Sequence, residues 1–446
     1  MTRDDPPRPT ENDSPATALA TVSASERSRR IIWLVGIVLL GTTLRAGLIV
    51  NTPGALATDP DGYRRLAEQL RFTGTLGHGD VPSAFRPPLY PLVLMPLVGW
   101  GPTAPAAIAV LHLAMAALTI VLVVAWGETL RLGRASYFAA LVVACDPVLL
   151  WQSTQVMTET LAALLAAAAG WLLARASMCG GRRSWLVAGA VFGLGALCRP
   201  DFLVWSALVV VALLLSEWRR KRSIAAALLV ATAAAVVLMP WVVRNWYVFG
   251  RPLPATTHGG YTALLANNPE YYESLRSGRW REVWIPGEFA AAQARLVPLR
   301  TPADELARDR ENYRAAGEAI HAELGMFAFA ALVRIEHLWG LVPHRLDGGE
   351  TTARWLGRMA VGVWYLALYL LAVVGWQRAR GREVNGEEPS AADADRGRRQ
   401  AWRLGWLVIV ALTLVHLVYF ANLRMRAPAV PVIALTAAAA LTDKKR

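Results

Sequence analysis

IIWLVGIVLLGTTLRAGLIV, residues 31–50, holds one arginine and no acid. It is as long as the ~20 apolar residues a helix needs to cross a bilayer. Nine further apolar blocks follow, at 104–126, 135–150, 155–174, 184–199, 201–216, 223–241, 354–376, 402–420 and 427–442. The reading is an all-α polytopic membrane protein with about ten transmembrane helices, and at most about thirteen.

Composition and charge agree with that reading. Of 446 residues, 55% are hydrophobic, and the formal net charge is +13. The positive surplus sits between the apolar blocks, in six groups: Arg27, Arg29 and Arg30; Arg131 and Arg134; Arg175, Arg182 and Arg183; Arg219 to Arg222; Arg378 to Arg403; and Lys444 to Arg446. With ten crossings all six fall on one face, which the excess of basic residues marks as cytoplasmic. Topology therefore explains the charge, and nucleic acid is set aside as a partner. Cys145, Cys179 and Cys198 have neither metal spacing nor a paired framework and read as packing residues.

Two apolar stretches break the charge alternation if they span. Residues 87–99 carry four prolines, and 326–342 contain Arg334, Glu336 and His337. Both are expected to lie on or dip into the outer surface as juxtamembrane segments. The organisation is then a disordered cytoplasmic tail at 1–30, a transmembrane core at 31–241 with a first outer loop at 51–103, a larger outer-face region at 242–353, and C-terminal spans at 354–446 with a solvated cytoplasmic linker at 377–400. The protein is expected in the cell membrane, among membrane lipids, with its active face outside the cytoplasm.

Arginine is depleted from outer loops, so the arginines that remain there carry information. They are Arg45 near the outer end of the first span, Arg86, Arg199, Arg424 and Arg426. Snorkelling to headgroups accounts for any one of them alone. The acids on the same face are Asp59, Asp61, Asp146 and Glu159. Asp59 followed by Pro60 reads as a helix start, with Asp59 as N-cap and Tyr63, Leu66, Ala67 and Leu70 on one apolar face. Capping lowers a carboxylate's basicity and leaves Asp61 freer to act. Carboxylates that take a proton and guanidinium forks that match phosphate oxygens, both at headgroup depth, suit an enzyme acting on a lipid-linked phosphate. A divalent metal, Mg²⁺ or Mn²⁺, bridging Asp59 or Glu159 to phosphate is compatible with these oxygen ligands, although no spacing requires it. His78, His258 and His337 follow no pattern and read as surface residues.

DPDGYRRLAEQL, FRPPLYPLVL, QVMTETLAALL, AGAVFGLGALCRPDFL, MPWVVRNWYVFGRPLPATTHGGYTALLANNP and NLRMRAPAVPVIAL, in that order, resemble the GT-C membrane glycosyltransferases of the protein O-mannosyltransferase and aminoarabinose transferase type. The resemblance runs from about residue 31 to 442. It implies inverting transfer of a sugar from a polyprenyl-phosphate donor to a lipid, glycan or protein acceptor outside the cytoplasm. It places the essential acid four residues before Tyr63, on Asp59, and so ranks Asp59 ahead of Asp61. It places a second acid on Glu159, donor-phosphate contacts on Arg86, Arg199, Arg424 and Arg426, and substrate contacts on Tyr63, Asn245, Asn267 and Asn268. Met425 stands where the family's closing pattern has tyrosine, and the acid usual before it is missing from FANL. The competing readings are a polyprenyl-linked glycan polymerase or ligase and a lipid-linked glycan transporter. The second expects charges in mid-membrane and two similar halves.

Overall fold

The computed structural model describes residues 24–281, 284, 287, 289, 291, 300–345, 349–381 and 389–442. Its helices are α1 (Ala24–Asn51), α2 (Tyr63–Thr73), α3 (Leu89–Val98), α4 (Ala104–Thr129), α5 (Ala135–Cys145), α6 (Pro147–Gln152), α7 (Glu159–Cys179), α8 (Arg182–Cys198), α9 (Asp201–Leu214), α10 (Arg220–Phe249), α11 (Gly259–Ala266), α12 (Pro269–Arg276), α13 (Pro302–Ala322), α14 (Leu324–Trp339), α15 (Thr352–Gly381), α16 (Pro389–His416) and α17 (Val430–Ala439). Among the described residues the only sheet is a two-stranded one, Gly77–His78 against Val81–Pro82. All ten apolar blocks fall on helices, and α1, α4, α7, α10 and α15 are long and apolar enough to cross a membrane by themselves. The protein is a polytopic helical membrane protein.

Several of the other apolar blocks form shorter or broken helices, for local reasons. Pro147 ends α5 and starts α6; Asp146 caps the new helix by accepting from the Leu149 amide at 3.0 Å and takes the Tyr365 hydroxyl on its other oxygen at 2.9 Å. Arg45 covers the end of α5, donating to the carbonyls of Ala144 (2.8 Å) and Val143 (3.2 Å). It is 2% exposed, so it serves as an internal cap and not as a snorkelling residue. Close packing elsewhere uses small residues: a Cβ on Gly189 would lie 2.4 Å from the Val230 carbonyl oxygen, so α8 and α10 meet backbone to backbone.

One end of the bundle gathers the basic connections. Arg219 pairs with Asp393 at 2.5 Å, bringing the start of α16 to the turn between α9 and α10. The linker expected at 377–400 is largely helical, because α15 runs to Gly381 and α16 starts at Pro389. Residues 382–388 lie outside the described residues, as does the tail up to residue 23.

The opposite end carries α2, α3 and α11–α14. Thr301 and Asp304 close a reciprocal capping box that starts α13, and α13 meets α14 at a bend of 110°. Arg334 of α14 is buried and donates to the carbonyls of Ala266 (2.8 Å) and Leu417 (2.5 Å), tying α14 to the ends of α11 and α16. Buried Glu305 of α13 accepts from the Ala84 amide at 2.9 Å and from the Thr257 hydroxyl. Asp309 accepts from the Gly260 amide at 2.7 Å. α13 thus clamps together the segments that carry Arg86 and His258.

Candidate active site

The first loop places its two aspartates differently. The helix starts at Tyr63, not at Pro60, because Gly62, with φ +76°, turns the chain at its N-cap position. Asp59 still caps it from outside, its two oxygens accepting from the amides of Arg64 (3.1 Å) and Arg65 (2.9 Å). Asp61 is held by side chains instead. Its Oδ1 accepts from Arg86 Nη2 at 3.1 Å and its Oδ2 lies 3.3 Å from Arg424 Nη1.

Behind this pair stands a buried ionic layer. Glu159, the first residue of α7 and 2% exposed, has Oε1 3.2 Å from Arg199 Nη1 and 3.6 Å from Arg424 Nε. Arg199 also pairs with Asp201 at 3.1 Å and contacts the Met425 sulfur at 3.0 Å. Three carboxylates, Asp61, Glu159 and Asp201, therefore balance three guanidiniums, Arg86, Arg199 and Arg424. Removing one member of the desolvated Arg199–Glu159–Asp201 part of this set costs about 3–5 kcal/mol, because its partner is left unpaired.

Two cavities meet here. A polar one of about 630 Å³ is lined by Asp59, Asp61, Arg64, Arg65, His78 and Arg86. An apolar one of about 780 Å³ is lined by Leu48, Trp151, Val361, Phe420 and Leu423, and Arg424 stands in its wall. Both volumes are in the range of small-molecule sites. Asp61 lines the polar cavity and Arg424 the apolar one, so the Asp61–Arg424 ion pair stands as a partition between the two.

Several expected roles change with these positions. Arg199 and Glu159 line neither cavity and hold Arg424 from behind. Arg426 is fully buried and points away, donating to the Gly340 carbonyl (2.8 Å) and the Tyr369 hydroxyl (3.0 Å) with its guanidinium 3.7 Å from the Tyr365 ring. Asn245 donates to the Leu253 carbonyl at 2.9 Å, and Asn267 to those of Ala263 and Val418, both at 2.8 Å. Asn268 caps α12 through the Tyr271 amide at 2.8 Å. These three asparagines hold turns and line neither cavity. Tyr63 is buried under the site, edge-on to Tyr90 at 5.4 Å, with Arg86 5.5 Å above its ring.

Sequence reasoning missed His258 and Asp201. His258 is not a surface residue: its Nε2 faces Arg86 Nη1 at 3.2 Å and its ring lies 4.3 Å from that of Phe85 and 5.3 Å from that of Tyr261. Burial, and then the Arg86 cation, hold its imidazole well below the usual range, so the neutral ring accepts from Arg86 and aims that guanidinium at Asp61. Nothing local in THGGY signals this, since the partner is 172 residues away. Asp201 was legible as an acid two residues after Arg199. The acid missing from FANL is supplied in space, by Asp61 and Glu159 reaching Arg424.

The oxygens of Asp59 are taken by amides and those of Asp61 by two arginines, whereas Glu159 Oε2 and Asp201 Oδ1 are buried with no hydrogen-bond partner among the described residues.

Residues 87–244 match the model of the dolichyl-phosphate-mannose-protein mannosyltransferase family. No curated protein sequence matches the chain. Among solved structures it is similar to the oligosaccharyltransferase of Archaeoglobus fulgidus in the apo form, at 15% identity and TM-score 0.53, over 93% of this chain and 51% of that one. The same enzyme tethered to an acceptor peptide containing the NVT sequon matches at 14% identity and TM-score 0.52, over 91% and 49%. ArnT from Cupriavidus metallidurans bound to undecaprenyl phosphate matches at 14% identity and TM-score 0.40, over 87% and 78%. The chain spans about half the length of the Archaeoglobus protein. The chain is thus a helical membrane protein that matches the mannosyltransferase family model over one segment and shares the fold of about half of the Archaeoglobus oligosaccharyltransferase.

Proposed function

We propose that the protein transfers a sugar from a polyprenyl-phosphate donor to an acceptor entering from the extracytoplasmic side. The observation that carries this reading is the Asp61–Arg424 partition between an apolar and a polar cavity. An isoprenoid belongs in the first, a hydroxyl- or amine-bearing acceptor in the second, and the anomeric carbon at the partition.

Arg424 would take the donor phosphate, steadied from behind by Glu159 and Arg199. A phosphate that engages its Nη1 takes that group from Asp61 Oδ2 and leaves the oxygen open to the acceptor's proton. Asp61 then removes the acceptor proton. The acceptor oxygen or nitrogen bonds to the anomeric carbon from the face opposite the phosphate, the carbon–oxygen bond to phosphate breaks, and polyprenyl phosphate leaves with its charge held by Arg424 and Arg86. Inversion follows from the single displacement. Asp59 fixes the loop on α2. The acceptor is a lipid, glycan or protein group that reaches the outer membrane surface.

A photoreactive polyprenyl phosphate tests the partition. Labelling is expected on the apolar-cavity segments 147–152, 357–361 and 420–424, competed by unlabelled carrier. Labelling confined to the segments 59–68 and 78–86 would reverse the assignment of the two cavities.

A further inference from the structure

The end of α14 carries a side-chain cluster that the transfer reaction does not use. Glu336, His337 and His344 place one potential ligand atom each within 4.8 Å of one another. His344 Nε2 lies 3.4 Å from Glu336 Oε2. That is long for a hydrogen bond, but it equals the edge of a tetrahedron whose ligands sit about 2.0–2.1 Å from a central ion, about 3.3–3.4 Å. The two imidazoles stand edge to face, ring centres 4.2 Å apart at 78°. His337 Nε2 lies 3.0 Å from the Trp280 carbonyl oxygen and the ring also bonds the Ala421 carbonyl, so a metal would take one ring nitrogen from its carbonyl and keep the other as an outer hydrogen bond.

We infer that Glu336, His337 and His344 form a Zn²⁺ site that clips the end of α14 to the segment after it. Two nitrogens and one carboxylate oxygen suit zinc and disfavour Mg²⁺ or Ca²⁺, which take all-oxygen shells. His337 and His344 both line the apolar cavity, so the fourth position opens toward it and takes water or an anionic oxygen. The site has structural reach as well. The clipped segment supplies the Gly340 carbonyl to Arg426 and the Pro343 carbonyl to Arg358 of α15, both at 2.8 Å. The ion would therefore hold one wall of the apolar cavity, through residues separate from the Asp61–Arg424 partition.

The test uses full-length protein purified in detergent without a histidine tag. Elemental analysis is expected to find about one zinc per chain, and chelator-stripped protein is expected to take up Co²⁺ with the intense visible bands of a tetrahedral site. Glu336→Gln should weaken zinc affinity by roughly 10-fold or more, and His337→Gln with His344→Gln should abolish the cobalt bands. Monodisperse elution and unchanged helical circular dichroism of these variants separate loss of metal from loss of fold. Wild type that binds neither ion at stoichiometric concentration, or a folded double variant that retains both, overturns the site.

Discussion

Asp61→Asn is expected to lower sugar transfer by roughly 10²–10⁴-fold, the contribution of a positioned general base, while the protein still inserts and elutes as a folded species. The amide keeps an oxygen for Arg86 or Arg424 but can no longer take a proton. Asp59→Asn should cost far less, because an amide oxygen can still accept from one of the Arg64 and Arg65 amides that hold the loop. The two variants are compared by initial rates of transfer at equal amounts of folded protein. An inactive Asp59→Asn beside an active Asp61→Asn would return the base to Asp59, where the family resemblance places it.

Arg424→Ala should lower kcat/KM for the donor by roughly 10²–10³-fold, the cost of removing one preorganised charge from a developing anion. The loss should appear in kcat as well as KM, since charge on the departing phosphate grows toward the transition state. Arg426→Ala serves as contrast. That side chain is buried on the Gly340 carbonyl and Tyr369, so its removal should lower thermal stability and leave the donor dependence of the folded fraction unchanged. Unchanged kinetics of Arg424→Ala at limiting donor would remove this turn from the phosphate site.

The parts of the fold that depend on composition over a whole helix were legible in the sequence. Ten apolar blocks became ten helical segments or helix pairs, and the stretches 87–99 and 326–342 hold α3 and most of α14. Local chemistry was legible in part: Asp59 caps α2, although the αL glycine at 62 moved the start of α2 by three residues, whereas the block 135–150, expected as one span, is broken at Pro147 into α5 and α6. The arginine-rich turn at 424 and Arg86 were singled out because few arginines survive on that face.

Direction was not legible. Arg424 and Arg426 are two residues apart in one turn, yet the first faces the cavities and the second the packed interior, because a 3₁₀ turn over Leu423–Ala429 sends them to different sides. Asn245, Asn267 and Asn268 are spent on backbone groups that no sequence pattern reveals. His258 looked like a loop residue because its partners, Phe85 and Arg86, arrive only when Glu305 of α13 binds the Ala84 amide and the Thr257 hydroxyl. Clusters assembled across such separations belong to packing, and the sequence carries no periodic trace of them.

The most direct measurement incubates the purified protein with a panel of radiolabelled polyprenyl-phosphate sugars and a membrane-derived acceptor fraction, and follows free polyprenyl phosphate by mass spectrometry. The account predicts that at least one donor releases polyprenyl phosphate in step with label appearing in acceptor, and that neither occurs with Asp61→Asn. Release of polyprenyl phosphate at the same rate by Asp61→Asn, or movement of intact donor across the bilayer with no cleavage by wild type, would contradict it.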